Sequence, residues 1–273
     1  MMTKNISLGQ YVPVDSPLHR LDPRTKLAWT LAYVLSLFIM RGIWAVGLAV
    51  IFLVVIIRLS AIPPLLYLKA AKPLLILILF TTFMNLFFVP GHTLAAFGPL
   101  TVTEEGIRTA AYLVIRLLCL IAGSSVMTFT TTPGKLTDGL EKGLHFLTRI
   151  RVPVGDLAMM MGIALRFIPL LSEELDRIIK VQTARGAVFD EGNFLVRAKK
   201  LIPVLVPLFV ASIRRASDIA LAMDARCYRS GEGRTRLHPL GYEKRDYIAW
   251  LIMPVYLAAV IVCRIAAGKG GLL

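Results

Sequence analysis

The chain has 273 residues, 56% of them apolar, with a mean hydropathy of +0.70 and a formal net charge of +14. Several apolar runs carry no charge over about the 20 residues needed to cross a hydrocarbon core, which excludes a soluble globular domain and predicts an all-α integral membrane protein. The bases accompany these runs instead of forming a Lys/Arg tract, which argues against a nucleic-acid partner, and the widely spaced Cys119, Cys227 and Cys263 suggest neither a disulfide frame nor a zinc site.

Met1 to Lys26 is polar, carries Lys4, Arg20, Arg24 and Lys26, and shows no cleavable signal, so the first membrane helix is expected to act as its own insertion signal. From Leu27 to Ile57 the only charge is Arg41. A helical hairpin, Leu27–Met40 and Gly42–Ile57, turning at Arg41-Gly42, places the basic N-terminus and the basic connector with Arg58, Lys69 and Lys72 on one side. The positive-inside rule makes that side the cytoplasm.

Pro73 is expected to open the next run, Leu74–Val89, and Pro90-Gly91 to close it. The loop through His92, Gly98-Pro99, Glu104 and Glu105 to Arg108 is poor in bases and fits the outer face. Ala110–Thr130 then returns inward, with Arg116 near its outer end, where it can snorkel toward headgroups.

Thr132-Pro133 reads as an N-cap followed by proline at the first helical position, starting a helix through Leu147 that Arg149 to Arg151 breaks. Val152-Pro153 starts another, holding Met159-Met160-Met161 and Arg166-Phe167-Ile168-Pro169. Beyond Pro169 it becomes amphipathic, with Glu173 to Arg177 and Asp176 to Lys180 as acid-before-base pairs at i,i+4. Leu201–Ile213, interrupted by Pro203 and Pro207, predicts a bent helix in the interface or under the bundle; it continues past Arg214 and Arg215, and Ser230-Gly231-Glu232-Gly233 closes it. Between Thr131 and Asp246 there are 19 Lys/Arg against 13 Asp/Glu, a balance that belongs inside. Tyr247–Cys263 is a last crossing, anchored by Trp250. The expected organisation is a membrane region over 1–130 with four crossings, a cytoplasmic module of long coupling helices over 131–246, and a C-terminal transmembrane helix over 247–273.

Catalytic chemistry is not encoded in any recognisable spacing. Gly134-Lys135 is followed by Leu136, so there is no phosphate-binding Gly-x-x-x-x-Gly-Lys-Ser/Thr loop, and His19, His92, His145 and His238 are scattered without a carboxylate cluster. No catalytic, cofactor or metal residue is assigned. The spans also lack a convergent set of polar groups, so the membrane part is expected to be a scaffold that binds no cargo itself.

One pattern occurs twice. Asp176 to Gly186 and Asp218 to Cys227 are amphipathic runs ending in Ala184-Arg185-Gly186 and Ala225-Arg226-Cys227, with the arginines 41 positions apart. An arginine fork binds a carboxylate bidentately, and small neighbours let a groove wall come close. Two like pegs suggest a partner with two like sockets.

Ser16-Pro-Leu-His-Arg-Leu-Asp-Pro-Arg-Thr-Lys-Leu27, Arg166-Phe-Ile-Pro-Leu-Leu171 with Glu173 and Glu174, Gln182-Thr-Ala-Arg-Gly186 and Ala222-Met-Asp-Ala-Arg-Cys-Tyr-Arg229 resemble the transmembrane coupling component of energy-coupling factor transporters. The resemblance implies a non-catalytic subunit of an ATP-driven importer for a vitamin or transition metal. Arg185 and Arg226 would dock into two ATP-binding-cassette subunits that hold ATP and magnesium, and the membrane part would hold a small substrate-binding S subunit, with Met159, Met160 and Met161 as its possible contact. Cys227 stands where that family often has glycine, which leaves open whether the two helix ends stop alike. A self-contained channel or secondary carrier is the alternative.

Overall fold

The computed structural model describes residues 11–40, 42–97, 100–150, 152–189, 193, 196, 199–228 and 240–269. It divides into two compact units, Gly9–Gly139 with Leu240–Leu273, and a second built on Leu140–Pro239.

In the first unit, α1 (Pro23–Ile39) starts on Asp22, whose Oδ1 accepts from the Arg24 amide at 2.9 Å, with Pro23 at the first helical position. α2 (Ile43–Ser60) follows Gly42, whose φ of 85° is open to glycine and strained for other residues, so the helix break after Met40 agrees with the expected hairpin; Arg41 itself lies outside the described residues.

The next helix starts earlier than expected. Pro63-Pro64 opens α3 (Pro64–Ala71), and Pro73 sits inside a 3-10 turn over Lys72–Leu74 that passes directly into α4 (Leu75–Phe88). Lys69 and Lys72, taken from sequence as a connector, are therefore helical. Proline lacks the N–H for an internal bond, and the tighter turn accommodates that loss. A two-stranded hairpin follows, β1 (Thr93–Phe97) with β2 (Leu100–Thr103), where a plain loop was expected; Gly98-Pro99 lie outside the described residues.

α5 (Glu104–Thr130) is the axis of this unit and packs against α1, α2, α3 and α4. Its N-terminus is fixed by Thr103, whose Oγ1 accepts from the Gly106 amide at 3.0 Å, while Glu104 and Glu105 complement the helix dipole. The last helix, α9 (Lys244–Lys269), packs on α1 and α2. Close approach comes from small residues: Ala45 and Ala49 are fully buried on one face of α2, and a Cβ built on Gly123 would lie 2.4 Å from the Tyr33 ring. Around them Trp29, Phe52 and Tyr256 stack, with centroids 5.1 and 4.3 Å apart, and the Tyr256 hydroxyl meets Ser36 Oγ at 2.9 Å. Arg116 lies 5.0 Å over the Phe38 ring, so its charge has an aromatic partner in the membrane.

α6 (Pro133–Gly143) begins as expected, with Thr132 Oγ1 accepting from the Lys135 amide at 3.5 Å, but ends at Gly143; a 3-10 helix over His145–Ile150 takes the place of its last turn. The second unit is built on α7 (Val154–Ala184) and α8 (Ile202–Ala225). They run antiparallel, because Gln182 Nε2 donates to the Pro203 carbonyl at 3.3 Å and Arg215 donates to Glu174 at 3.4 Å. Arg177 pairs with Glu174 three residues back at 3.7 Å, whereas the sequence pattern pointed to Glu173 four residues back. Pro169 and Pro207 are both carried inside helices, and α8 ends at Ala225, ahead of the expected stop at Ser230 to Gly233, which itself lies outside the described residues.

Among the described residues, five helices are long and apolar enough to cross a membrane: α2, the continuous run Pro64–Phe88, α5, α7 and the Lys244–Ala266 part of α9. That is the all-α, about five-span class read from composition, with a different membership. α1, at 17 residues, rises about 26 Å, a little under a hydrocarbon core, and α7 has the length and composition of a span although the sequence reading put it in the cytoplasmic module.

The segment before α1 is held by His19. Its Nε2–H donates to the Val12 carbonyl at 3.1 Å, so Nδ1 accepts from Ser16 Oγ at 2.7 Å, and Val12 itself donates to the Phe129 carbonyl. Burial, with Lys26 nearby, holds the imidazole below its ordinary pKa of 6.5. The folded state thus binds fewer protons than the unfolded one, and the stability His19 contributes is present above 6.5 and lost as pH falls through the lowered value. The melting midpoint in detergent should fall between pH 7.5 and 5.5, and His19→Gln should remove much of that fall.

Candidate functional site

The two arginine motifs end their helices in the same way. Arg185 caps α7: the Gly186 amide donates to the Thr183 carbonyl at 2.9 Å and the Ala187 amide to the Gln182 carbonyl at 3.0 Å. Arg226 caps α8: the Cys227 amide donates to Asp224 at 2.9 Å and the Tyr228 amide to Met223 at 3.0 Å. Both are Schellman closures, in which the residue after the cap is left-handed and its successor reaches back five residues. Gly186 has φ +89° and Cys227 φ +52°, so cysteine takes the conformation glycine favours and the two ends stop alike.

Ala184, Arg185, Gly186, Ala225, Arg226 and Cys227 are all exposed. Each closure leaves an arginine on the last turn, flanked by alanine before and a reversed backbone after, so the guanidinium projects with little around it. The structure does not bring the two motifs together. Since Gln182 lies beside Pro203, the α8 rise from there to Arg226 sets the two arginines about 35 Å apart. They are two separate contact points at opposite ends of one helical pair. Met160 and Met161 are about half exposed on the first half of α7, and Met159 is half-buried.

A non-glycine residue in the left-handed region costs about 1–2 kcal/mol, part of which glycine returns as unfolded-state entropy. Cys227→Gly should therefore tighten this helix end by about 0.5–1 kcal/mol. Hydrogen exchange at the Cys227-position and Tyr228 amides should slow about two- to fivefold, while Cys227→Val should speed it.

A second constellation is built on the polar segment before α1. Asp246, 1% exposed, accepts from the Asp22 amide at 2.9 Å through Oδ1 and from the Glu243 amide at 3.0 Å through Oδ2. One turn on, the Lys26 ammonium donates to the His19 carbonyl at 3.2 Å and the Thr130 carbonyl at 3.0 Å. Arg24 lies 5.2 Å over the Tyr242 ring. The segment Ser16 to Lys26 thus ties the starts of α1 and α9 to the end of α5. The sequence signal was the concentration of polar residues just before a span; their partner, 224 positions away, was not visible.

Among the described residues no group of three His, Cys, Asp or Glu could hold a metal ion.

The chain matches the family model described as cobalt transport protein over residues 15–237, a stretch that includes the Asp22 segment and both arginine motifs. It is 48% identical to the energy-coupling factor transporter transmembrane protein EcfT of Heliobacterium modesticaldum over 90% of this chain and 92% of that protein. The identity is 46% to the protein of the same name in Clostridium kluyveri, over 98% of this chain and 100% of that one. It is 45% to that of Ruminiclostridium cellulolyticum, over 95% and 97%.

Proposed function

Because this chain belongs to the family of energy-coupling factor transporter transmembrane proteins, multi-pass components of the cell membrane, we propose that it links the ATPases of such an importer to a separate cargo-binding subunit. The observation that carries the reading is the duplicated helix end: two exposed arginines in the same Schellman geometry, about 35 Å apart on one antiparallel pair. Cassette ATPases work as a two-fold dimer. A single chain that must sense both halves needs two equivalent contacts, and Arg185 and Arg226 supply them. Each guanidinium would take a carboxylate in a groove of one ATPase subunit.

Hydrolysis then belongs to the partners, which hold ATP and magnesium, and this chain carries no catalysis. Cargo, a vitamin or a transition metal, is bound by a small S subunit in the membrane. The exposed, adaptable side chains of Met160 and Met161, with Met159, are the proposed contact with it. In topology, α1 crosses together with α2, Pro64–Phe88, α5 and α9, the N-terminus is inside, and the module over 131–246 is cytoplasmic. α1 is short for a span, yet it packs on α5 and α9, and the basic balance of the module supports the inner side.

Purification in mild detergent tests this. Two ATPase subunits and one small membrane protein should accompany the chain, and recovery of the chain alone from cells that import actively would refute the reading.

A further inference from the structure

A groove of about 690 Å³ runs along the membrane unit between α1, α2, α5 and α9, a volume in the range of ligand sites. Its floor is the aromatic stack of Trp29, Phe52 and Tyr256 with Tyr33 beside it. Among the described residues the charged groups that line it are Lys26 and Arg245, both positive, and no acid lines it. Asp15, whose carboxylate feels Arg245, is taken by a two-point contact with Arg20.

The two cations share one end. Arg245 precedes Asp246, which bonds the Asp22 amide, and Lys26 lies one turn further along α1. Two of the three ammonium hydrogens of Lys26 go to carbonyl oxygens, which leaves one donor for another oxygen. Arg245 is exposed.

The groove covers half a bilayer. Along α9 it runs from Arg245 to Ala259, a rise of about 21 Å. One leaflet's hydrocarbon and headgroup zone is also about 20–22 Å, whereas a transmembrane helix of a partner needs a face about 30 Å long. On α1 the lining runs from Lys26 to Tyr33, and on α5 it is confined to the last two turns, Gly123 to Thr130, so on both helices it lies toward the charged end.

We propose that this groove is a binding site for one anionic phospholipid, with its phosphate between Arg245 and Lys26 and an acyl chain over the aromatic floor. Its length and apolar lining fit a single-leaflet amphiphile, and the two cations in its lining, with no acid beside them there, select negative headgroups. Assignment to the cytoplasmic leaflet rests on the topology given above; the anionic preference does not.

The full chain carrying Trp44→Phe and Trp250→Phe keeps Trp29 as its only tryptophan. In mixed micelles, dibrominated phosphatidylglycerol should quench Trp29 at a mole fraction at least fivefold lower than dibrominated phosphatidylcholine, since a cation near the membrane surface is worth about that factor toward an anionic lipid. Arg245→Gln, a change at an exposed position, should reduce the preference about fivefold, and Ala259→Phe should weaken quenching by both lipids. Equal quenching by the two lipids with Arg245→Gln silent would mean ordinary surrounding lipid and overturn the proposal. Absence of quenching by both lipids would overturn it too. Neither result bears on the ATPases, whose attachment is read separately.

Discussion

Replacing both Arg185 and Arg226 by alanine should release the ATPase subunits, whereas either change alone should leave the complex assembled but impair transport. Both residues are exposed, so their loss is expected to alter the fold of this chain by no more than about 0.5 kcal/mol, and what is lost is attachment. Truncating one member of a desolvated charge pair costs roughly 2–5 kcal/mol, much of it from the carboxylate left unpaired in the groove. With one peg remaining, the second contact is still intramolecular, and linked contacts typically strengthen an assembly by 10²–10⁴-fold. Lysine should rescue poorly at either position, because a point charge lacks the planar fork. Pull-downs and uptake assays on the two single variants, the double variant and the lysine pair measure this. A double variant that retains its ATPases and imports normally would refute the two-peg reading.

Asp246→Ala should be the most destabilising single change outside the apolar core. The carboxylate is buried and receives two backbone amides from different parts of the chain, at Asp22 and Glu243. Alanine leaves both donors without a partner, at about 1–3 kcal/mol each, or about 2–6 kcal/mol together. For a chain of this size the melting midpoint in detergent should fall by about 5–20 °C. Asparagine keeps one acceptor and should show roughly half the loss. A midpoint unchanged by Asp246→Ala would mean that water replaces the carboxylate and that the clamp is not structural.

Local signals in the sequence were read well where they are chemical and adjacent. Thr132-Pro133 is a cap and first-turn pair that opens its helix as written, whereas Asp22-Pro23, a pair of the same kind, opens α1 four residues before the expected start at Leu27. Gly186 was expected to end α7 and does. What escaped was of three kinds. Lys69 and Lys72 made a helical segment look like a connector, so Pro73 was taken for a beginning and Pro63-Pro64 was passed over. The 93–103 hairpin has an interrupted register between Thr93 and Ala95, which blurs the alternation that marks strands. Left-handed Cys227 could not be read from residue type at all, because cysteine is rarely found there; only the backbone reveals that the two helix ends match. The repeated arginine pattern is visible in the sequence because it is local, and the Asp22–Asp246 clamp is not because its halves meet only in the folded chain.

That clamp bears on how the chain is put together. Gly139 is pressed against Pro23 and Arg24, and Tyr242 lies beneath the Arg24 guanidinium, so the polypeptide leaves the membrane unit and returns to it at one corner. The stretch Leu140–Pro239 is therefore connected as a guest within a host, both of its attachment points falling a few residues from the same proline. Each doubling of the guest's length adds only about 0.6 kcal/mol to the cost of closing that gap, and the host's helices enclose their own core without it. Guest and host can thus vary at different rates, provided the Asp22 corner is kept.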